Sequence, residues 1–104
     1  MALPTLTKEE RAAALLKAAA ARKVRAELRE KLKNGEINLS DAFSRIQTDD
    51  AVAKMKVIAL LESMPGVGKI RAEHLMERIG IASSRRLRGL GPNQLSALLS
   101  EFSS

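Results

Sequence analysis

Between Thr7 and Asn34 no Gly or Pro interrupts a stretch rich in Ala, Leu, Lys, Arg and Glu, the composition of one long helix. Thr7 and Glu10 are spaced as a capping box at its start, and Gly35 ends it. The pattern predicts about 27 helical residues, roughly 40 Å at 1.5 Å per residue. A chain this short cannot cover so long a rod, so part of the helix is expected to project. Asn38 or Ser40 can cap a short second helix through Gln47, and Thr48 a third through Ser63 with Asp49 and Asp50 in its first turn. In that third segment Val52, Met55, Val57, Ile58, Ala59, Leu60 and Leu61 cover nearly the whole circumference, which places it at the centre of the core.

Pro65 stops the central segment, and a glycine turn follows. Ala72, Leu75, Met76 and Ile79 then recur at helical spacing and give a fourth helix one buried stripe before Gly80. Ser83 or Ser84 can cap a short turn. Gly89-Leu90-Gly91-Pro92 makes a second glycine corner, and Pro92 can open a last helix carrying Leu95, Leu98, Leu99 and Phe102. No strand alternation and no solenoid-length repeat is visible. The expected fold is all-α, one unit over residues 1–104, with a long, partly projecting helix in 1–36 and a compact core in 37–104.

Composition narrows what such a fold can bind. At 104 residues the chain can bury a modest core, and without cysteine neither a disulfide nor a zinc-thiolate centre can hold it. Its 18 Lys and Arg against 12 Asp and Glu leave a net charge of +6, which points to a polyanionic partner. Phe43 and Phe102 are the only aromatic residues, too few for a surface that stacks single-stranded bases, so duplex nucleic acid fits better. Residues 1–36 hold 9 basic and 5 acidic groups and residues 63–104 hold 6 and 3, whereas 37–62 hold 3 and 4. The ends therefore carry the cationic surface, and the central helix is read as scaffold. No apolar run approaches the roughly 20 residues of a membrane span. Met1 to Leu6 lacks the basic and apolar parts of a secretory signal. Cytoplasmic residence is the expectation.

Pro65-Gly66-Val67-Gly68-Lys69-Ile70-Arg71 is the most informative motif. A helix, a Pro-Gly-Val-Gly hairpin and a second helix form the helix-hairpin-helix pattern, whose backbone amides take a nucleic-acid phosphate without reading bases. Met64 and Val67 flank the turn as apolar anchors, Gly68 caps the next helix, and Lys69 and Arg71 lie in its first turn. Cations there disfavour an isolated helix slightly, a cost that a bound phosphate offsets. The plainer alternative is an inter-helix corner with two solvated cations. A nucleotide P-loop does not fit, because Lys69 is followed by Ile70 and the Gly-x-x-x-x-Gly-Lys-Ser/Thr spacing is missing.

A second cationic site is Ser84-Arg85-Arg86-Leu87-Arg88, running into the Gly91-Pro92-Asn93 corner, with three arginines in four residues and no acid. Arginines of this kind can enter a narrow minor groove while an apolar residue such as Pro92 wedges at a base step; the alternative is a solvated basic turn. On the first helix Arg11, Arg22, Arg25, Arg29 and Lys33 project onto one face and could lie along phosphates, or form an ordinary solvated face. His74 stands alone, so it is read as a surface residue. No metal site, cofactor or catalytic step is expected; a monovalent cation at the Gly66 to Gly68 hairpin stays open.

The chain resembles the actinobacterial integration host factor family over nearly its full length. The resemblance rests on Met64 to Ala72, Leu75-Met76, and Ser84-Arg85-Arg86-Leu87-Arg88-Gly89-Leu90-Gly91. It implies a helix-two-turns-helix core like that of a small-subunit ribosomal protein and certain DNA repair enzymes. It also implies a monomer that binds and bends duplex DNA at the nucleoid, supporting chromosome compaction and phage integration; whether several copies sit on one duplex or bridge two stays open. By position, Gly66, Val67, Gly68 and Lys69 would hold one backbone, and Arg85, Arg86, Arg88 and Gly91-Pro92-Asn93 would form the second contact. The rival expectation is an RNA-binding or ribosome-associated protein using the same grip.

Overall fold

The structure, a computed structural model, describes residues 5–102; Met1 to Pro4, where most of the sequence tested for a secretory signal falls, lie outside them. Six α-helices and one 3-10 turn succeed one another: α1 Lys8–Lys33, α2 Leu39–Ser44, α3 Asp50–Ala53, α4 Val57–Glu62, α5 Lys69–Ile79, the 3-10 turn Leu87–Gly89 and α6 Pro92–Phe102. Thr7 Oγ1 accepts from Glu10 N at 3.0 Å and starts α1. Its other end closes as a Schellman motif, with Glu36 N on Lys31 O at 2.9 Å and Gly35 N on Leu32 O at 3.2 Å.

Only the C-terminal half of α1 docks. Leu28 and Leu32 are fully buried, Val24 packs against the same cluster, and every residue from Lys8 to Ala20 is exposed. Leu15 and Leu16 remain 68% and 73% exposed, so the expected projection is real. It gives the molecule its long axis of 51 Å against 33 and 24 Å. Below α1 the core is built from Val52, Val57, Leu60, Leu61, Leu87 and Leu98, all almost fully buried. Each such side chain contributes about 1.5–3 kcal/mol relative to exposure. α1 packs on α3, α4 on α5, and α6 on both α2 and α5.

The helix expected from Thr48 to Ser63 is not continuous. Asp49, not Thr48, caps α3, its side chain accepting from Ala51 N. The chain then leaves the helix at Lys54, buries Met55, turns extended at Lys56, and re-enters it at Val57. The backbone groups freed by this break find partners 30 residues further on: Lys56 pairs with Arg86 as an antiparallel bridge. Val57 N donates to Arg85 O at 3.0 Å and Leu87 N to Met55 O at 2.9 Å. A non-local pairing thus outweighs a local helical preference, and it adds a strand-like element that the alternation-free sequence gave no reason to expect. Smaller differences follow the same logic. α2 is capped by Asn38, in a reciprocal box with Asp41, and its α-helical part stops at Ser44 rather than Gln47. Neither Ser83 nor Ser84 caps the 3-10 turn, which starts after Arg86 without a side-chain cap.

Candidate nucleic-acid interface

At the hairpin, Val67 N donates to Met64 O at 3.1 Å and closes a four-residue turn with Pro65 at its second position. Gly66 takes the third at φ 75°. That is the arrangement of a type II turn, in which a side chain at the third position is strained. Val67 buries its side chain to 6% exposure and fixes the turn on the core. Gly68 has ordinary extended backbone, offers no side-chain cap to α5, and accepts from Ala72 N at 3.0 Å. No atom lies within 4 Å of where its Cβ would stand. The first amides of α5 therefore open onto free space beside exposed Lys69 and Arg71. Together with the positive end of the helix dipole they can receive an anion.

The arginine corner is organised differently. Arg86 Nη1 donates to Lys54 O at 2.6 Å, and Arg85 Nη1 folds back to Gly89 O at 2.8 Å. The Arg85 chain covers Gly89 so closely that an added Cβ would stand 2.9 Å from Arg85 Cδ. Arg88 makes no hydrogen bond or ion pair to another described residue. Gly91 N donates to Gln94 Oε1 at 3.0 Å while Gln94 Nε2 donates to Gly80 O at 3.2 Å, so Gln94 ties the corner to the end of α5. Pro92 and Asn93 are exposed in the first turn of α6, and Ser84 is exposed in the turn before the arginines.

The structure divides the cationic face of α1. Arg22 and Lys33 stay exposed, and Lys33 shares a shallow depression with Glu30 and Glu62. Arg25 is half-buried and reaches Ala51 O at 3.5 Å. Arg29 Nε donates to Ser63 Oγ at 2.8 Å, and that buried hydroxyl donates on to Ala59 O at 2.8 Å. Arg25 and Arg29 then line one side of a groove of about 510 Å³ whose other residues are Lys54, Met55, Lys56, Ala59, Arg86 and Arg88. Six cations and no carboxylate meet there. The cationic surface is therefore not confined to the two ends of the chain, as expected with the central helix as scaffold, because the α3–α4 break carries Lys54 and Lys56 to the arginines. Nor does the sequence mark Ser63 and Gln94 as ties of this surface. Each is a lone polar residue whose meaning comes from partners 34 and 14 residues away.

Asp50 is ion-paired with Lys54, one of the groove residues. Its hydrogen bond and charge contact with Lys54, 3.0 Å away, hold its carboxyl below the usual aspartate range, with smaller help from Lys17 and Arg88.

Integration host factor of Streptomyces coelicolor is 58% identical over 104 residues, covering all of this chain and 97% of that protein. The chain belongs to the integration host factor family. Integration host factor of Mycobacterium tuberculosis is 55% identical and is covered to 99% of its length. The S13-like H2TH domain matches residues 32–102, the part from the docked end of α1 through α6. A solved structure of sIHF bound to an 8bp palindromic DNA superposes with a TM-score of 0.81 at 54% identity, covering 84% of this chain and 98% of that one. The all-helical fold with a long first helix is thus the family's.

Proposed function

We propose that this integration host factor binds duplex DNA as an architectural protein, largely without sequence specificity. In this role it bends or compacts DNA at the nucleoid and supports chromosome organisation and phage integration. The observation that carries the proposal is the position of two cationic glycine corners at opposite ends of α4. The hairpin turn begins at Met64, one residue beyond the Ser63 C-cap of α4, and the arginine corner is hydrogen-bonded to Met55 and Val57 at its start. α4 is six residues long, about 9 Å at 1.5 Å per residue. Two contacts at about that separation, comparable to a groove width, can hold two points on a duplex and impose a bend between them. The DNA-bound state of the sIHF neighbour supports the choice of partner.

In this reading the amides after Gly68 hold one phosphate, with Val67 as anchor and Gly66 setting the turn, while Lys69 and Arg71 add charge beside it. Ser84, Arg85, Arg86 and Arg88 with Gly91, Pro92 and Asn93 meet the second point, and Arg22, Arg25, Arg29 and Lys33 extend the positive field along α1. Cations displace counterions from the duplex and fix its register without reading bases. No bond is made or broken in this work.

The test is a set of unrelated duplexes titrated over a range of salt. Replacing Arg85→Ala together with Arg86→Ala is expected to weaken all of them alike and to lower the slope of log K against log salt by about two. A loss confined to one sequence would overturn sequence-tolerant binding.

A further inference from the structure

The groove lined by Arg25, Arg29, Lys54, Lys56, Arg86 and Arg88 has properties that contact with a duplex does not require. Its cations come from two sides, α1 and the paired segments around Lys56 and Arg86, with Met55 and Ala59 between them. Its volume of about 510 Å³ lies in the range of small-ligand sites. A duplex presents its phosphates on a convex rod and meets one side of such a depression; a short, multiply charged anion can be held from both.

Part of the groove is fixed before any ligand arrives. Ser63 holds Arg29, the Lys54 carbonyl holds Arg86, and two backbone hydrogen bonds lock the segments that carry Lys56 and Arg86 together. Each arginine uses one of its five N–H donors in these bonds, which leaves the others to receive oxygen atoms. The side chains of Lys56 and Arg88 have no hydrogen-bond or ion-pair partner among the described residues. Lys54 is partly neutralised by Asp50, but that carboxylate stands outside the groove lining. Like charges gathered without a carboxylate repel one another, and a compact polyanion relieves that repulsion more effectively than chloride.

We propose that this groove binds a free short phosphate chain, of the tripolyphosphate kind carried by nucleoside triphosphates, and thereby withdraws Arg86 and Arg88 from DNA. The binding itself stands apart from the function proposed above; its effect on DNA rests on that reading.

Calorimetric titration of the full chain with inorganic tripolyphosphate, without DNA and at constant ionic strength, tests the site. One saturable site per chain is expected. Lys56→Ala and Arg88→Gln are each expected to weaken it about tenfold, the size of one lost charge-assisted contact. Lys69→Ala with Arg71→Ala should lower duplex affinity while leaving this titration in place. In a second arm, tripolyphosphate should release a labelled duplex more effectively than sulfate at equal ionic strength. The site is refuted if no saturable binding is found, or if Lys56→Ala and Arg88→Gln both bind like the parent; release no greater than that by sulfate refutes the coupling. If the unmodified chain fails to bind duplex at all, the function reading falls, and the first titration still decides the groove.

Discussion

At the Pro65 to Gly68 hairpin the backbone holds itself, through the Val67 to Met64 hydrogen bond and the buried Val67 side chain. At the Arg85 to Pro92 corner the side chains help hold the backbone: Arg85 on Gly89 O, Arg86 on Lys54 O, Gln94 on Gly91 N and Gly80 O. Both regions are cationic and glycine-containing, yet they divide the work differently. The side chains of Lys69 and Arg71 make no hydrogen bond or ion pair to another described residue, so at the hairpin affinity can change without stability. The corner uses two of its three arginines to shape itself, so there the two quantities are coupled.

The strongest test of that contrast is Gly66→Val. A β-branched residue at φ 75° is strained even though nothing crowds the site. Stability should fall by about 1–2 kcal/mol, read by urea denaturation, with duplex affinity falling alongside because the turn sets the amides after it. Gly68→Ser should separate the two effects. Serine is a better helix cap than glycine by a few tenths of a kcal/mol, so the melting temperature should hold or rise. The added side chain occupies the space that a phosphate needs, so duplex affinity should drop several-fold by anisotropy. Unchanged affinity would mean that the hairpin is a corner and nothing more.

Asp50→Asn is expected to have the smallest effect and bears on the corner side, since Asp50 holds the side chain of Lys54, whose carbonyl receives Arg86. The carboxyl titrates below its unfolded value, so its pairing stabilises the fold above the ordinary aspartate pKa near 3.9 and is lost as pH falls through the lower folded value. Asp50→Asn should therefore flatten the acid limb of stability below about pH 4 while leaving the neutral melting temperature almost unchanged. The pair is solvent-exposed, so a large loss at neutral pH would show that Asp50 supports the corner by some other route.

The sequence revealed the parts of the fold whose signals are local. Thr7, Gly35, Gly80 and Pro92 bound their helices where capping chemistry places them, and the stripe from Ala72 to Ile79 is the buried face of α5. The α3–α4 break could not be read, because Lys54-Met55-Lys56 contains no Gly or Pro and gains its partners only when Arg85 to Leu87 arrives from far along the chain. The same cause hid the groove. Lys54 and Lys56 are unremarkable in a segment whose acids outnumber its bases, and Arg25 and Arg29 look like any solvated helix face until Ala51 and Ser63 lie beneath them. The hairpin was legible because glycine and proline announce a turn in their own covalent structure.

The Lys56–Arg86 pairing also bears on how the molecule assembles. About thirty residues lie between its two partners, and they include α4, the hairpin and α5. Bringing the ends of such a span together costs chain entropy before any contact repays it. The hairpin thus hangs inside a closed ring of chain. Its orientation relative to the arginines is set by ring closure, so a folding intermediate with this bridge open would carry both basic corners without holding them in register for one duplex.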